Sequence, residues 1–182
     1  SGQFISHNPA NGQYYLDLHK DVDFDALIRQ RAESLDLNAL DRYYFDLITY
    51  ALELTESAYV PGFRIWQREI PWPGHGVTRD GYVFLGAPNE RSTAQPERDF
   101  YIHFLAVYTP TGQESTGKDD EVYFILAHRD ETFDKALRLY AGAREMGAIS
   151  SGNNKSLYER KADEHRRQLA NWLRDNITRA FV

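Results

Sequence analysis

At 182 residues and 42% hydrophobic side chains, the chain has enough material for one domain, or one domain with an appendage, around a real core. It has no cysteine, which excludes disulfide staples, thiolate nucleophiles and cysteine zinc sites, and no apolar run near the length of a membrane span. The formal net charge of −6 argues against nucleic acid as the main partner.

Taken in order, residues 3–18 read as a small hairpin, with Phe4 and Ile5 before a turn at Asn8–Gly12 and Tyr14–Leu18 after it. Asp23 is placed to cap a helix, and Asp25 lies in its first turn, where the helix dipole favours an acid. Phe24, Leu27, Ile28, Ala32 and Leu35 recur at helical spacing. From about Asn38 a second stripe runs through Leu40, Tyr43, Tyr44, Leu47, Ile48, Ala51 and Leu52, which predicts a helical hairpin over 23–55.

Phe63–Arg68 alternates as a strand does, whereas 70–76 holds two prolines and two glycines and reads as irregular. Asp80-Gly81 reads as a turn into the strand Tyr82–Leu85, and a polar loop follows from Gly86 to Arg98. The two most apolar runs are 100–108 and 121–128, separated by a stretch of turn residues. They predict a central antiparallel hairpin with something packed on each face. A helix is predicted from Asp130 to Tyr140, fading at Gly142 and Gly147, with a joint at Ser150–Asn154. The last helix, Lys155–Val182, carries Leu157, His165, Leu169, Trp172, Leu173, Ile177 and Phe181 on one stripe.

The predicted fold is therefore α+β: an antiparallel sheet with a central hairpin, an N-terminal helical hairpin and two C-terminal helices. Residues 1–150 form the core domain in this reading, and 151–182 a C-terminal helix that continues in a longer parent protein. The absence of an initiator Met and the apolar stripe running to the last residues motivate that expectation. Charge is segregated as well, with acids crowding the first 60 residues and bases outnumbering them from Lys155 onward.

Signals for chemistry are sparse. Thr116-Gly117-Lys118 lacks the upstream glycine spacing of a phosphate-binding loop, and no dinucleotide fingerprint or nucleophile elbow occurs. Asp119-Asp120-Glu121 lacks the following lysine that nuclease chemistry with Mg²⁺ would want. A two-histidine, one-carboxylate metal site would assemble if His103, His128 and Asp130 shared a face; a buried, hydrogen-bonded His103 is the plainer reading. For binding, Trp66, Trp72, Tyr82 and Phe84, with Arg64, Arg68 and Arg79, form a candidate stacking platform. Arg160, Lys161, Arg166, Arg167 and Arg174 make a basic face on the last helix that suits phosphate backbone. No cofactor is expected.

The segments Asn8–Leu18, Asp21–Ile28 and Arg31–Leu35 resemble a stretch inside the large P-loop ATPases of bacterial phage-resistance (BREX-type) systems. The resemblance covers about thirty residues, contains no catalytic motif and transfers no active-site residue. It implies a cytoplasmic fragment of a multidomain ATPase, whose partners are the rest of its own chain or other defence proteins, with DNA a further possibility and no membrane. The leading functional expectation is thus a non-catalytic structural or interaction domain of such an ATPase. The alternatives are a nucleic-acid-contacting module built on the basic helix and exposed aromatics, and a metal-dependent hydrolase around His103, His128 and Asp130.

Overall fold

A computed structural model describes residues 22–55, 65–86, 94–110 and 117–182, together with the backbone of 4–8 and 13–17. Strands β1 (Phe4–Asn8) and β2 (Gln13–Asp17) pair antiparallel from Phe4↔Asp17 to Asn8↔Gln13, so the N-terminal hairpin is present. Its expected turn at 9–12 lies outside the described residues.

Helix α1 (Phe24–Glu33) starts where the Ala26 N–H donates to Asp23 Oδ1 at 3.0 Å. Helix α2 (Leu37–Ala51) starts the same way, with the Ala39 N–H donating to Asp36 Oδ1 at 2.7 Å. Each carboxylate satisfies a donor that has no partner within the helix and sits at the positive end of the dipole. Ile28 and Ala32 on α1, and Leu40, Tyr44, Leu47 and Ile48 on α2, are buried as their spacing requires. The helical hairpin stands, and both of its legs pack on the later helix α3 (Glu131–Ile149).

The main sheet has the order β3 (Ile65–Trp72), β4 (Val77–Leu85), β5 (Phe100–Phe104), β6 (Glu121–Phe124). Here the expectation of an antiparallel sheet is corrected. Only β3 and β4 run antiparallel; β4–β5 and β5–β6 are parallel, so the sheet is mixed and 100–108 and 121–128 are no hairpin. The reason lies in the connection. After Phe104 the chain leaves the sheet, and the backbone N–H groups of Val107, Tyr108 and Thr109 donate to Asp41 on α2. A stretch of more than about a dozen residues then suffices for a crossover to a parallel neighbour.

The β3–β4 turn also differs from expectation. Strand β3 runs on through Ile70 and Pro71, which an edge strand tolerates, and the reversal is made by a 3-10 turn at Pro73–His75 with Gly76 at φ 63. Asp80-Gly81 lies inside β4. Gly81 leaves room there instead: a Cβ on it would run into the ring of Phe100, its partner on β5.

Cross-strand register assigns the two faces of the sheet. Trp66, Val83 and Ile102 share the face that meets the helices, with Leu85, Phe104 and Phe124 in the next row. The opposite face carries Ile65, Tyr82, Phe84 and Tyr101, which form a second cluster with Ala94 from the β4–β5 connection. The Tyr82 hydroxyl donates to the Pro96 carbonyl at 2.9 Å and fastens that cover. The central strands are thus covered on both sides, as their lack of a polar face predicts.

Helix α3 passes straight through Gly142 and Gly147, where the sequence reading has it fade. Helix α4 (Gly152–Ala180) follows after Ser150 and Ser151 and packs along α3. Its buried stripe is Tyr158, Ala162, Leu169 and Leu173, while Ile177 is 59% exposed. At its end, Phe181 packs edge-on against Phe104 and Phe124, and Val182 exchanges backbone hydrogen bonds with Ile125. The apolar run at the end of the chain therefore closes the sheet's edge. Among the described residues no helix is long and apolar enough to cross a membrane.

Acidic front and basic tail do meet. Lys161 of α4 pairs with Asp25 of α1 at 2.6 Å; with the signs the other way round and outside the tail, Arg31 of α1 pairs with Glu145 of α3 at 2.8 Å. Glu145 also accepts from the Tyr43 hydroxyl at 2.7 Å, so one carboxylate ties three helices together. The Arg31 hydrogen bond, then that of Tyr43, holds Glu145 below the usual glutamate range. Burial and the bond to Glu145 push the Tyr43 hydroxyl up to about 12. The signs are opposite. A depressed carboxyl stabilises above the ordinary glutamate range and loses that contribution as pH falls through its folded value; a raised phenol stabilises below about 10 and loses it as pH climbs toward about 12. Glu145→Gln is therefore expected to unfold at a lower temperature than the parent at pH 7, with the difference closing in acid. Equal deficits at neutral and acid pH would contradict the account. Tyrosine absorbance should show a group of phenols, Tyr43 included, that ionise only as the alkaline unfolding transition begins.

Candidate functional site

An open groove of about 1220 Å³ lies where α2, α3, α4 and the helix-facing side of the sheet come together. Its apolar lining comes from Ile70, Val83, Ile102, Phe104 and Phe124 on the strands and from Leu173, Ile177 and Phe181 at the end of α4. The end of α2 and the residues after it, Ile48 to Thr55, form a rim, with Glu53 in the left-handed conformation (φ 53) where the helix stops. Arginines supply the rest: Arg68 on β3, Arg144 on α3, and Arg166, Arg167 and Arg174 on α4. Only Asp46 and Glu53 oppose them among the described lining residues.

Helical spacing puts Arg167, Ala170, Asn171, Arg174 and Ile177 along one side of α4, where the short Ala170 leaves room. Two of the arginines are held in place. Arg166 lies over the Tyr50 ring with its guanidinium 4.2 Å from the centroid and bonds Asp163 at 2.9 Å; Arg174 donates to Asn171 at 3.3 Å. Arg68, Arg144 and Arg167 are exposed and make no ion pair with any described residue. Burial pushes the Tyr140 phenol in this lining up, so it serves there as a neutral hydroxyl.

A smaller recess of about 370 Å³ is lined by Gln67, Arg68, Glu69, Asp80, Gly81 and Arg98. Its charges balance, with Arg68 and Arg98 against Glu69 and Asp80, and Arg98 pairs with Asp80 at 3.6 Å. It leaves less unspent charge than the groove.

The expected site residues sort clearly. Of the basic face, Arg166, Arg167 and Arg174 line the groove; Arg160 is exposed outside it, and Lys161 is engaged with Asp25. The stacking platform is split. Trp66 is half-buried against the helices and Trp72 is 52% exposed near the hairpin turn, whereas Tyr82 and Phe84 are fully buried on the other face. Arg64 lies outside the described residues, as does Thr116 of the Thr-Gly-Lys stretch.

The metal candidates are not brought together, and among the described residues no three His, Asp or Glu side chains are grouped to hold a metal ion. His103 is buried between two rings, Phe84 at 4.5 Å and Tyr123 at 4.7 Å, both nearly parallel to it. Asp130 caps α3 by accepting from the Phe133 N–H at 2.8 Å, and also accepts from Trp172 Nε1 at 3.1 Å. These bonds, the Phe133 one foremost, hold its carboxyl below the usual range. His128 is exposed, and its backbone N–H donates to the Ala180 carbonyl.

Sequence reasoning missed Arg144, because it falls in the stretch of α3 where two glycines read as the helix's end. It also missed Asp41, one more acid in an acidic segment until the fold folds backbone donors around it.

No curated protein and no solved structure matches the chain. A family model described as the DUF6079 third domain matches residues 26–182, spanning α1 through α4, and the chain belongs to that family.

Proposed function

We propose that this domain is a non-catalytic interaction module of a larger cytoplasmic ATPase acting in phage defence, and that the arginine-walled groove is its working surface. The observation that carries the reading is a division of labour among charged groups. The carboxylates best placed by the fold are spent on structure: Asp41 on a loop backbone, Asp130 on a helix cap, Asp134 on Tyr108 and Arg129, Glu145 on Arg31 and Tyr43. Three groove arginines, Arg68, Arg144 and Arg167, by contrast, make no ion pair with a described acid. The family's description as a third domain supports a module within a multidomain chain. The ATPase and phage-defence context rests on the resemblance of residues 8–35.

Phosphate release is the direct test. The isolated domain should release none from ATP above background, while the full-length protein should. Charge reversal at Arg144 and Arg167 in the full-length protein should leave its ATP turnover within about twofold and abolish protection against phage. ATP turnover by the domain itself, or its absence from the full-length protein, would defeat the reading.

A further inference from the structure

We infer that the groove takes an acidic, amphipathic protein segment, with aliphatic side chains seated on its apolar floor and carboxylates against its arginines. This rests on the reading of the groove as an interaction surface and adds the chemistry of the partner. Three observations support it. First, the chain is acidic in sum, at −6, yet the groove sets five arginines against two acids. Such local reversal of sign attracts a short acidic segment while the rest of the surface repels a long polyanion. Second, Arg68, Arg144 and Arg167 make no ion pair with a described acid, so an incoming carboxylate displaces no existing pair. Third, the floor is exposed aliphatic surface, with Ile70 41% and Ile177 59% accessible, and Ile177 lies one helical turn from Arg174. Aliphatic anchors flanked by guanidinium groups suit leucine and glutamate at i, i+3 and i+4 spacing on a docked helix. Single-stranded nucleic acid would call for flat rings to stack on, and the rings here are turned to their own uses: Phe104 is buried against Phe124, and Tyr50 lies beneath Arg166. At about 1220 Å³ the groove also exceeds the range of an ordinary small-molecule pocket.

The test uses the 182-residue chain and fluorescence anisotropy. The probe is a labelled helical peptide of about 15 residues with leucine on one face and glutamate on the other. The comparison probes are the same peptide with lysine for glutamate, polyglutamate of equal length, and an oligothymidine of about 20 nucleotides. The acidic amphipathic peptide should bind, more weakly as salt rises. Arg144→Glu combined with Arg167→Glu, and separately Ile177→Asp, should each weaken it by about tenfold or more. Arg160→Glu, on the same helix but outside the groove, should change nothing. Circular dichroism and thermal midpoints confirm that each variant is folded. Tighter binding of the oligothymidine, equal binding of polyglutamate, indifference to the groove variants, or no binding of the peptide would each overturn the assignment. Phosphate release by the domain, which would defeat the broader reading, is measured separately and leaves these outcomes interpretable.

Discussion

Asp41→Ala should cost this domain about 3 kcal/mol and lower its thermal midpoint by roughly 10 °C. Asp41 is only 5% exposed, yet its carboxylate accepts four hydrogen bonds. They come from the N–H groups of Val107, Tyr108 and Thr109 at 2.7, 2.9 and 2.9 Å, and from the Thr109 hydroxyl at 2.6 Å. Those donors lie just past β5, where the chain turns away from the sheet. Without the carboxylate they are left unpaired next to a packed helix, and a buried donor that loses its partner costs its full desolvation. Asp41→Asn keeps the shape and one acceptor but aims an amide N–H₂ at some of the same donors, so about half the loss is expected. A thermal melt of the two variants decides it. An alanine variant that melts with the parent would show that the loop holds its place without this latch.

Gly142→Ala should destabilise by about 2 kcal/mol even though alanine is the better helix former. A Cβ there would stand 2.5 Å from the Ile28 carbonyl oxygen and 3.1 Å from the Ala32 Cβ, so α1 and α3 approach at this point with no room for a methyl group. The obstacle is backbone, which cannot swing aside as a side-chain tip can. Gly147 makes the comparison. Its hypothetical Cβ would be 3.6 Å from the Cβ of Tyr158, an ordinary contact, and Gly147→Ala should gain up to about 1 kcal/mol from helix propensity. Opposite signs in denaturant midpoints at two glycines five residues apart are the expected result. Matching signs would mean that propensity, not packing, governs both.

Much of the fold was legible in the sequence, and for identifiable reasons. Asp23 and Asp25 announced α1, the stripe from Leu40 to Leu52 announced α2, and two apolar runs announced β5 and β6. Each signal is carried by residues a few positions apart, within reach of helix or strand periodicity. The groove was half legible. Arg166, Arg167 and Arg174 were visible as a basic face, but their joining with Arg68 and Arg144 around an apolar floor was not. Of the metal candidates, His103 belongs to a different segment from His128 and Asp130, and among the described residues no three such side chains are grouped to hold an ion.

The sequence by itself determined the α+β class, the helical hairpin, the cover on both faces of the central strands and the lack of cysteine chemistry. Tertiary structure alone decided the direction in which β5 and β6 pair, the passage of α3 through Gly142, and the use of Asp41 as a latch. Those three depend on groups far apart in the chain: Asp41 with Val107, Ile28 with Gly142, Tyr101 with Glu121. A helix cap or an apolar stripe is set by neighbours along the backbone. Whether a glycine breaks a helix or admits another one, and whether a polar connection is a hairpin or a crossover, is settled by what packs against it.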